Sequence, residues 1–188
     1  MRTMKDVTAG NSPNIMERLP AAWYLTRDVL ALARDLLGKV LVTSFPEGTA
    51  KAIITETEAY DGVHDRASHA WGGRCTPRTE VMFREGGVAY IYLCYGIHSL
   101  FNVVSGPAGL PQAVLIRSVE PMEGLDLMLR RLGKGSYRTG MTRGPGRVGK
   151  AMGLHYLHSG ASLTGELIWL EDRGISVPRK EIMATPRI

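Results

Sequence analysis

Cysteine is scarce in this sequence, and its scarcity restricts the compartment in which the chain works. Only Cys75 and Cys94 occur among the 188 residues, and they do not form a Cys-x-x-Cys pair. Several disulfides usually hold a small secreted domain together, whereas free thiols are typical of reducing compartments. We therefore predict two free thiols and no disulfide framework.

Long apolar runs are also missing. No stretch reaches the roughly 18 uninterrupted apolar residues that indicate a membrane helix, and residues 1–20 lack the apolar segment of a secretion signal. These 20 residues are instead rich in asparagine, serine, proline and charge without apolar periodicity, which predicts a flexible tail. We expect a soluble, intracellular protein with no membrane partner.

Acidic residues are fewer than basic ones, 18 against 23, which gives the chain a formal net charge of +5. This excess favours polyanionic partners such as nucleic acid, although charge alone defines none. Because 44% of the 188 residues are hydrophobic, the chain can bury a core of its own, and its length suits one domain better than two. Residues 21–188 are predicted to form that domain, as a monomer by default.

The spacing of apolar residues predicts both helices and strands. Thr26 is a good N-cap, the next apolar residues recur at helical spacing, and Gly38 provides a stop, so a helix is predicted between them. A second helix is predicted from Pro121 to about Leu132. Six strands are predicted, the first two joined by a Pro-Glu-Gly turn, at residues 39–44, 50–57, 88–94, 100–105, 112–119 and 162–170. The predicted fold class is therefore α+β with a largely antiparallel sheet.

Residues 61–87 show no sustained period, and a stretch of this length inside a compact domain is typical of a functional loop. The stretch and the acids before it contain enough ligands for a metal, which leaves open a metal hydrolase built on His64, Asp65 and His69. The two histidines lack the i, i+4 spacing of a helical zinc site, no cysteine joins them, and Gly62 disfavours a helix here. We therefore predict no metal site.

The segment Gly144–Lys150, GPGRVGK, has only a superficial likeness to a phosphate-binding loop. In a P-loop, Gly-Lys is followed by serine or threonine, and here alanine follows Lys150, so nucleotide hydrolysis is disfavoured. The segment predicts a turn and a helix start with Pro145 near its first position. Backbone N–H groups there, with Arg143, Arg147 and Lys150, can bind one phosphate of a nucleic-acid backbone.

The six residues Thr55–Tyr60, TETEAY, place two carboxylates and an aromatic ring at the end of a predicted buried strand. Alternation along a strand puts Glu56, Glu58 and Tyr60 on one face of the sheet. Either a solvent-exposed face or a functional site explains this pattern.

Residues 90–102, YIYLCYGIHSLFN, predict a hairpin. Tyr90 and Tyr92 share one face of its first strand, and aromatic residues in strands most often belong to the core. Tyr95 and Gly96 form the predicted turn, and a tyrosine at a hairpin tip points outward.

Three longer segments together resemble the alkyladenine (3-methyladenine) DNA glycosylase family. They are residues 55–78 (TETEAYDGVHDRASHAWGGRCTPR), residues 82–104 (MFREGGVAYIYLCYGIHSLFNVV) and residues 113–125 (AVLIRSVEPMEGL). The likeness runs in order from about Tyr24 to the C-terminus and also includes LLGK and GPGRVGKAMGL. Chance can produce one such motif, but it does not produce three in register.

The resemblance implies a mixed α/β domain around a curved antiparallel sheet, with a protruding β-hairpin that enters the DNA minor groove. It implies a monofunctional DNA-repair hydrolase that acts on double-stranded DNA containing damaged purines. Such an enzyme flips out 3-methyladenine, 7-methylguanine and, in some members, hypoxanthine or etheno-adenine, and hydrolyses the N-glycosidic bond. No cofactor is implied. The expected location is the cytoplasm, at the nucleoid, in a bacterium and the nucleus in a eukaryote.

Carried onto this sequence, the family's general base corresponds to Glu58, which would deprotonate the water that attacks the sugar C1′. Arg117 corresponds to the arginine that orients this water. A carboxylate there would also stabilise the positive charge that develops on the deoxyribose. Tyr60, His69 and Tyr92 correspond to the base pocket, where a purine made cationic by alkylation gains about 0.5–2 kcal/mol over an aromatic face.

The remaining family positions concern selectivity and DNA contact. Asn102 corresponds to a pocket asparagine that would clash with the exocyclic amino group of guanine. Tyr95 corresponds to the side chain that fills the gap left by the flipped nucleotide. Arg74, Thr76 and Arg78 fall in a loop close to the DNA phosphates.

One departure from the family pattern concerns the C-terminus. Family members usually continue beyond residues 185–188 with a further helix and a closing segment, whereas this sequence stops at Ile188. We therefore expect a domain without that closing segment.

Two other function classes stay open alongside the glycosylase. One is a noncatalytic DNA-binding module that uses the same basic and aromatic surface. The other is the metal hydrolase described above.

Overall fold

The computed structural model describes residues 17–26 and 28–186, and its strands form one antiparallel sheet. The strand order across the sheet is β1-β7-β2-β3-β6-β5-β4. The predicted α+β class with an antiparallel sheet is confirmed. The strands are β1 (Glu17–Arg18), β2 (Val40–Phe45), β3 (Gly48–Tyr60), β4 (Ala89–Cys94), β5 (His98–Ser105), β6 (Gln112–Glu123) and β7 (Ile168–Asp172).

Three α-helices cover one face of this sheet within the described residues, and the main core lies between the two layers. They are α1 (Val29–Asp35), α2 (Leu125–Leu132) and α3 (Pro145–Met152). Phe101 of β5 and Ile116 of β6 are fully buried beneath them, together with Met152 of α3.

The opposite face of β4, β5 and β6 is covered by residues 61–87. A second, smaller core forms there. Because successive side chains of a strand point to opposite faces of the sheet, the strand residues of this core alternate along the chain with those of the main core. Its buried members are Ala70, Val81, Met82, Tyr90, Val104 and Ala113. The aperiodic stretch is therefore a packed cover, built from short 3₁₀ turns, over the strands that carry the candidate site.

The first helix begins two residues later than predicted. Asp28 is its N-cap, because the Asp28 carboxylate accepts a hydrogen bond of 2.9 Å from the Ala31 N–H, while Thr26 accepts one from the Asp28 N–H. The α-helix ends at Asp35 with Leu36 as its C-cap, and Gly38, the predicted stop, lies in the turn that follows, with φ +83°. A Cβ atom at Gly38 would lie 2.6 Å from the Ile175 carbonyl oxygen, so only glycine fits.

The predicted helix start at Pro121 is wrong. Strand β6 continues through Pro121 to Glu123, and α2 begins at Leu125. Pro121 lies opposite Ala52 of β3, next to a shift in the strand register between Lys51 and Ala52. Such an irregularity tolerates proline, which has no backbone N–H to donate.

The last strand is displaced toward the C-terminus, to Ile168–Asp172 rather than residues 162–170. Ser162 forms only an isolated bridge to Val88.

Most of the predicted N-terminal tail, residues 1–16, lies outside the described residues. Residues 17–19 are not a tail, because Glu17 and Arg18 pair with β7 and Leu19 donates its N–H to the Leu170 carbonyl at 2.9 Å. Leu19 is also buried.

Two further expectations concern membrane helices and thiols. No helix within the described part of the chain is long and apolar enough to cross a membrane. Cys75 and Cys94 are free thiols, as predicted.

Candidate active site

The TETEAY segment lies entirely within β3, which is longer than predicted. Thr57 faces the helices, where its hydroxyl donates a hydrogen bond of 2.7 Å to the Ala33 carbonyl, and Ala59 packs against the main core. Glu58 and Tyr60 therefore face the other way, toward the smaller core. The strand alternation read from the sequence is confirmed, and this face carries a side-chain network.

The Glu58 carboxylate is held by one hydrogen bond on each oxygen. The Tyr60 hydroxyl donates to Oε1 at 2.5 Å, and Nη1 of Arg117 donates to Oε2 at 2.5 Å. Charge-assisted hydrogen bonds of this kind fix an ionised side chain in one orientation. The Glu58 side chain is 17% exposed, so water still reaches it.

Arg117 joins both acids of the segment. Its Nε donates to Glu56 at 2.9 Å while its Nη1 binds Glu58. In the pairing of β3 with β6, Glu56 lies opposite Ser118, and the next residue, Thr57, lies opposite Ile116. Arg117 is therefore the extra residue of a β-bulge and has no direct partner on β3. The hydrogen bond with Glu56, ahead of the Glu58 charge, raises the pKa of Arg117 and keeps it cationic.

A pocket of about 90 Å³ lies beside this network, between the sheet and the covering residues. It brings together the four predicted pocket residues, Tyr60, His69, Tyr92 and Asn102. Glu58 is connected to the pocket through its bond with Tyr60. The pocket is lined by Tyr60, Ala67, Ser68, His69, Met82, Tyr90, Tyr92, Asn102 and Ala113.

Aromatic rings form one wall of the pocket. The His69 and Tyr92 ring centres are 4.6 Å apart at 79°, and those of Tyr90 and Tyr92 are 5.5 Å apart at 33°. Tyr90 was missed as a pocket residue, because its place in a strand favours the core. The sequence did contain one signal for it, because Tyr90 lies two residues before Tyr92 and therefore on the same face of the strand.

His69 and Tyr90 share a hydrogen bond of 2.9 Å between Nδ1 and the phenol oxygen. Burial, followed by the Arg78 charge, lowers the pKa of His69, so the imidazole is neutral near pH 7. Burial raises the pKa of Tyr90 to about 12, so its hydroxyl keeps its proton. The pair is therefore neutral.

Asn102 is 3% exposed and has a fixed orientation. Its amide nitrogen donates to the carbonyls of Tyr90 and Leu100, at 3.0 and 3.3 Å. Because rotation of the amide would break both bonds, Asn102 presents a rigid surface to the pocket.

The β4–β5 hairpin ends in a tight turn that displays Tyr95. Tyr95 and Gly96 have φ values of +49° and +73°, and the Ile97 N–H donates to the Cys94 carbonyl at 3.1 Å. Positive φ at both central residues is the type I′ geometry that matches the twist of a hairpin. Tyr95 is 92% exposed and Ile97 is 73% exposed, so the tip is an exposed apolar protrusion.

The predicted DNA-contact loop is organised by Thr79. The buried Thr79 hydroxyl accepts a hydrogen bond from the Thr76 N–H at 2.9 Å and donates to the Arg74 carbonyl at 3.0 Å. Arg74 and Arg78 are exposed, whereas the Thr76 hydroxyl is within hydrogen-bond distance of Thr79. Thr76 thus has a structural contact of its own.

The structure does not support the metal hydrolase. Among residues 17–26 and 28–186, no three His, Cys, Asp or Glu side chains converge on one point. Asp65 instead accepts hydrogen bonds from the backbone of Asp61 and Ala67, and His69 bonds Tyr90.

Comparison with known proteins shows the family of the chain. A sequence model of the methylpurine-DNA glycosylase family matches residues 23–188. The chain therefore belongs to this family of DNA glycosylases, enzymes that hydrolyse an N-glycosidic bond.

Three bacterial relatives carry 3-methyladenine DNA glycosylase as a provisional name. The Chlamydia felis protein is 46% identical over 171 residues, which cover 90% of this chain and 87% of the relative. The Bacillus licheniformis protein is 44% identical, covering 92% and 85%. The Myxococcus xanthus protein is 45% identical, covering 92% and 82%.

Proposed function

We propose that this protein removes alkylated purines from double-stranded DNA by hydrolysing the bond between the base and deoxyribose. One observation carries the proposal: the Glu58 carboxylate is fixed between Arg117 and a tyrosine that lines an aromatic pocket. This arrangement puts a proton acceptor beside a cavity suited to a flat base.

The proposed reaction needs only water and Glu58. The water oxygen bonds to C1′ as one of its protons passes to the Glu58 carboxylate, and the C1′–N bond breaks with its electron pair leaving on the base. The carboxylate also stabilises the positive charge that develops on the sugar. Since a 3- or 7-alkylated purine is cationic, it leaves as a neutral base without prior protonation.

The aromatic wall suits such a base. Tyr60 and Tyr92 both line the pocket, and aromatic faces attract a planar cation. If the Tyr90 hydroxyl donates to Nδ1 of His69, then Nε2 of the neutral imidazole carries the proton and can donate to the bound base. Fixed by two backbone carbonyls, Asn102 would reject a guanine amino group.

We propose 3-methyladenine as the preferred substrate. We rank 7-methylguanine below it, because 7-methylguanine keeps the guanine amino group that Asn102 opposes, although its positive charge still helps the base to leave. A neutral base such as hypoxanthine or etheno-adenine would need an acid to leave, and we rank it below the cationic ones. No lysine is among the residues that line the described pocket, and a lyase step needs an amine nucleophile, so the proposed enzyme is monofunctional.

DNA contact is assigned to the hairpin tip and the neighbouring loop. Tyr95 would fill the gap left by the flipped nucleotide, and the exposed Arg74 would bind a phosphate. Because the three relatives are bacterial and the substrate is chromosomal DNA, we place the activity at the nucleoid.

Incubation with methylated duplex DNA tests the proposal, with the released bases identified by chromatography. We expect free 3-methyladenine, abasic DNA and unchanged rates in EDTA. Salt-sensitive DNA binding without any free base would indicate the noncatalytic binding module instead. Activity abolished by EDTA would contradict the water-and-carboxylate mechanism.

A further inference from the structure

Arg78 lies against the aromatic pocket, although the family resemblance assigned it to the DNA backbone. Its guanidinium carbon is 5.2 Å from the centre of the Tyr92 ring, within the roughly 6 Å at which a cation is attracted to an aromatic face. Its charge also reaches two neighbouring pocket residues. It adds to the effect of burial on the pKa of His69, and it opposes the effect of burial on the pKa of Tyr90.

The backbone of Arg78 is fixed while its side chain is exposed. Residues 76–79, TPRT, form a turn closed by a hydrogen bond of 2.9 Å from the Thr79 N–H to the Thr76 carbonyl. Pro77 occupies the second position of the turn, which its ring favours. Thr79 is 3% exposed and anchors the turn, whereas the long Arg78 side chain is exposed and can change position without moving the turn.

The pocket must widen before it can hold a purine. Its volume is about 90 Å³, whereas pockets that hold small molecules measure roughly 300–1,000 Å³. Guanidinium is a planar cation, as is a 3- or 7-alkylated purine, and both are attracted to the same ring. Arg78 and a bound base would therefore compete for Tyr92.

We propose that the Arg78 guanidinium covers the base pocket. When a base enters the pocket, the guanidinium moves away from the Tyr92 ring and binds a DNA phosphate. This inference rests on the proposed function. It adds a coupling between two contacts of the protein with DNA, the base in the pocket and the phosphate bound by Arg78. A free base must displace Arg78 without help, whereas a base that is still attached to DNA brings a phosphate with it. The cover thus favours bases in DNA over free bases, including the released product.

The competition has a quantitative consequence. A cover that must leave first weakens the binding of every free base by the same factor, because it reduces the fraction of protein that is competent to bind. From the strength of a cation–π contact at an exposed site, that factor is roughly two- to fivefold. Removing the cover should tighten free 3-methyladenine and free adenine equally.

Titration calorimetry with free 3-methyladenine and free adenine tests this. We compare the parental protein with Arg78→Ala and with Arg66→Ala, which removes another exposed arginine from the same covering stretch. We expect Arg78→Ala to bind both bases two- to fivefold more tightly, and Arg66→Ala to match the parent. Methylated duplex should bind Arg78→Ala more weakly, with a smaller salt dependence.

The outcomes separate this inference from the proposed function. If the parental protein releases 3-methyladenine from DNA but Arg78→Ala binds the free base no more tightly, the cover is wrong and the glycosylase stands. If the parental protein releases no base, the proposed function fails. If none of the proteins binds the free bases, the cover is also overturned. Matching thermal unfolding of the three proteins excludes a folding defect as the cause.

Discussion

The two regions assigned to DNA chemistry are built in opposite ways. Around Glu58, each carboxylate oxygen has a donor, and the donor Arg117 has a second acid behind it. At the hairpin tip, Tyr95 is 92% exposed and adopts a positive φ that is rare outside glycine. The proposed catalytic group is thus held by a rigid network, whereas the proposed wedge is exposed.

The largest expected effect comes from changing the rigid region. Glu58→Gln should lower the single-turnover release of 3-methyladenine by about 10²–10⁴-fold, because the amide cannot accept the proton from water. Glu56→Gln is the matched control. Glu56 accepts its hydrogen bond from Nε of Arg117 rather than from the Nη1 that binds Glu58, so its loss should cost less than about tenfold in the same assay. Equal losses in the two variants would contradict the assignment of Glu58 as the base.

Arg117→Ala should have the next largest effect. It leaves Glu58 with the Tyr60 bond alone and removes the group assigned to orient the water, and we expect a loss of roughly 10–10²-fold in base release. Arg117→Lys keeps the charge but cannot bind both acids at once in the same geometry, so it should recover only part of the rate. A lysine variant with the full parental rate would show that charge alone matters.

Substitutions at the exposed hairpin tip should change the affinity for DNA rather than the rate of base release. Tyr95→Ser should weaken the binding of methylated duplex by about tenfold, because unstacking a base pair costs a few kcal/mol and the wedge offsets part of it. Fluorescence anisotropy measures this affinity. Leu157→Ser removes another exposed apolar side chain and serves as the control. Unchanged affinity of Tyr95→Ser would remove its wedge role.

The smallest effect is on stability at acid pH. Burial lowers the pKa of His69 below its ordinary value of 6.5, so the folded protein binds fewer protons at this site than the unfolded chain. The stability contributed by neutral His69 is present above pH 6.5 and is lost as the pH falls toward and through the lowered value. Thermal unfolding at pH 7.5 and 5.5 should therefore show a smaller decrease for His69→Gln than for the parent. An equal decrease would contradict this coupling.

The sequence predicted features that depend on local pattern. Strand alternation placed Glu58 beside Tyr60, and the Tyr-Gly pair indicated the hairpin turn. Features that depend on the register between strands could not be predicted from the sequence. Pro121 was assigned to a helix because the tolerant bulge in β6 is visible only once β3 pairs with it.

Two features of the pocket also required the tertiary structure. Tyr90 looked like an ordinary core residue, since its bond to His69 joins positions 21 residues apart. The contact of Arg78 with Tyr92 links a loop to a strand, and no periodicity connects the two.

Glu58 is proposed to act on water rather than to hold the pocket together. Equilibrium binding of Glu58→Gln to methylated duplex tests this most directly. Because glutamine is nearly the same shape and can still accept a hydrogen bond from Arg117, we predict that the variant binds the duplex as tightly as the parent and retains the intact base. A loss of affinity that parallels the loss of base release would contradict this role of Glu58.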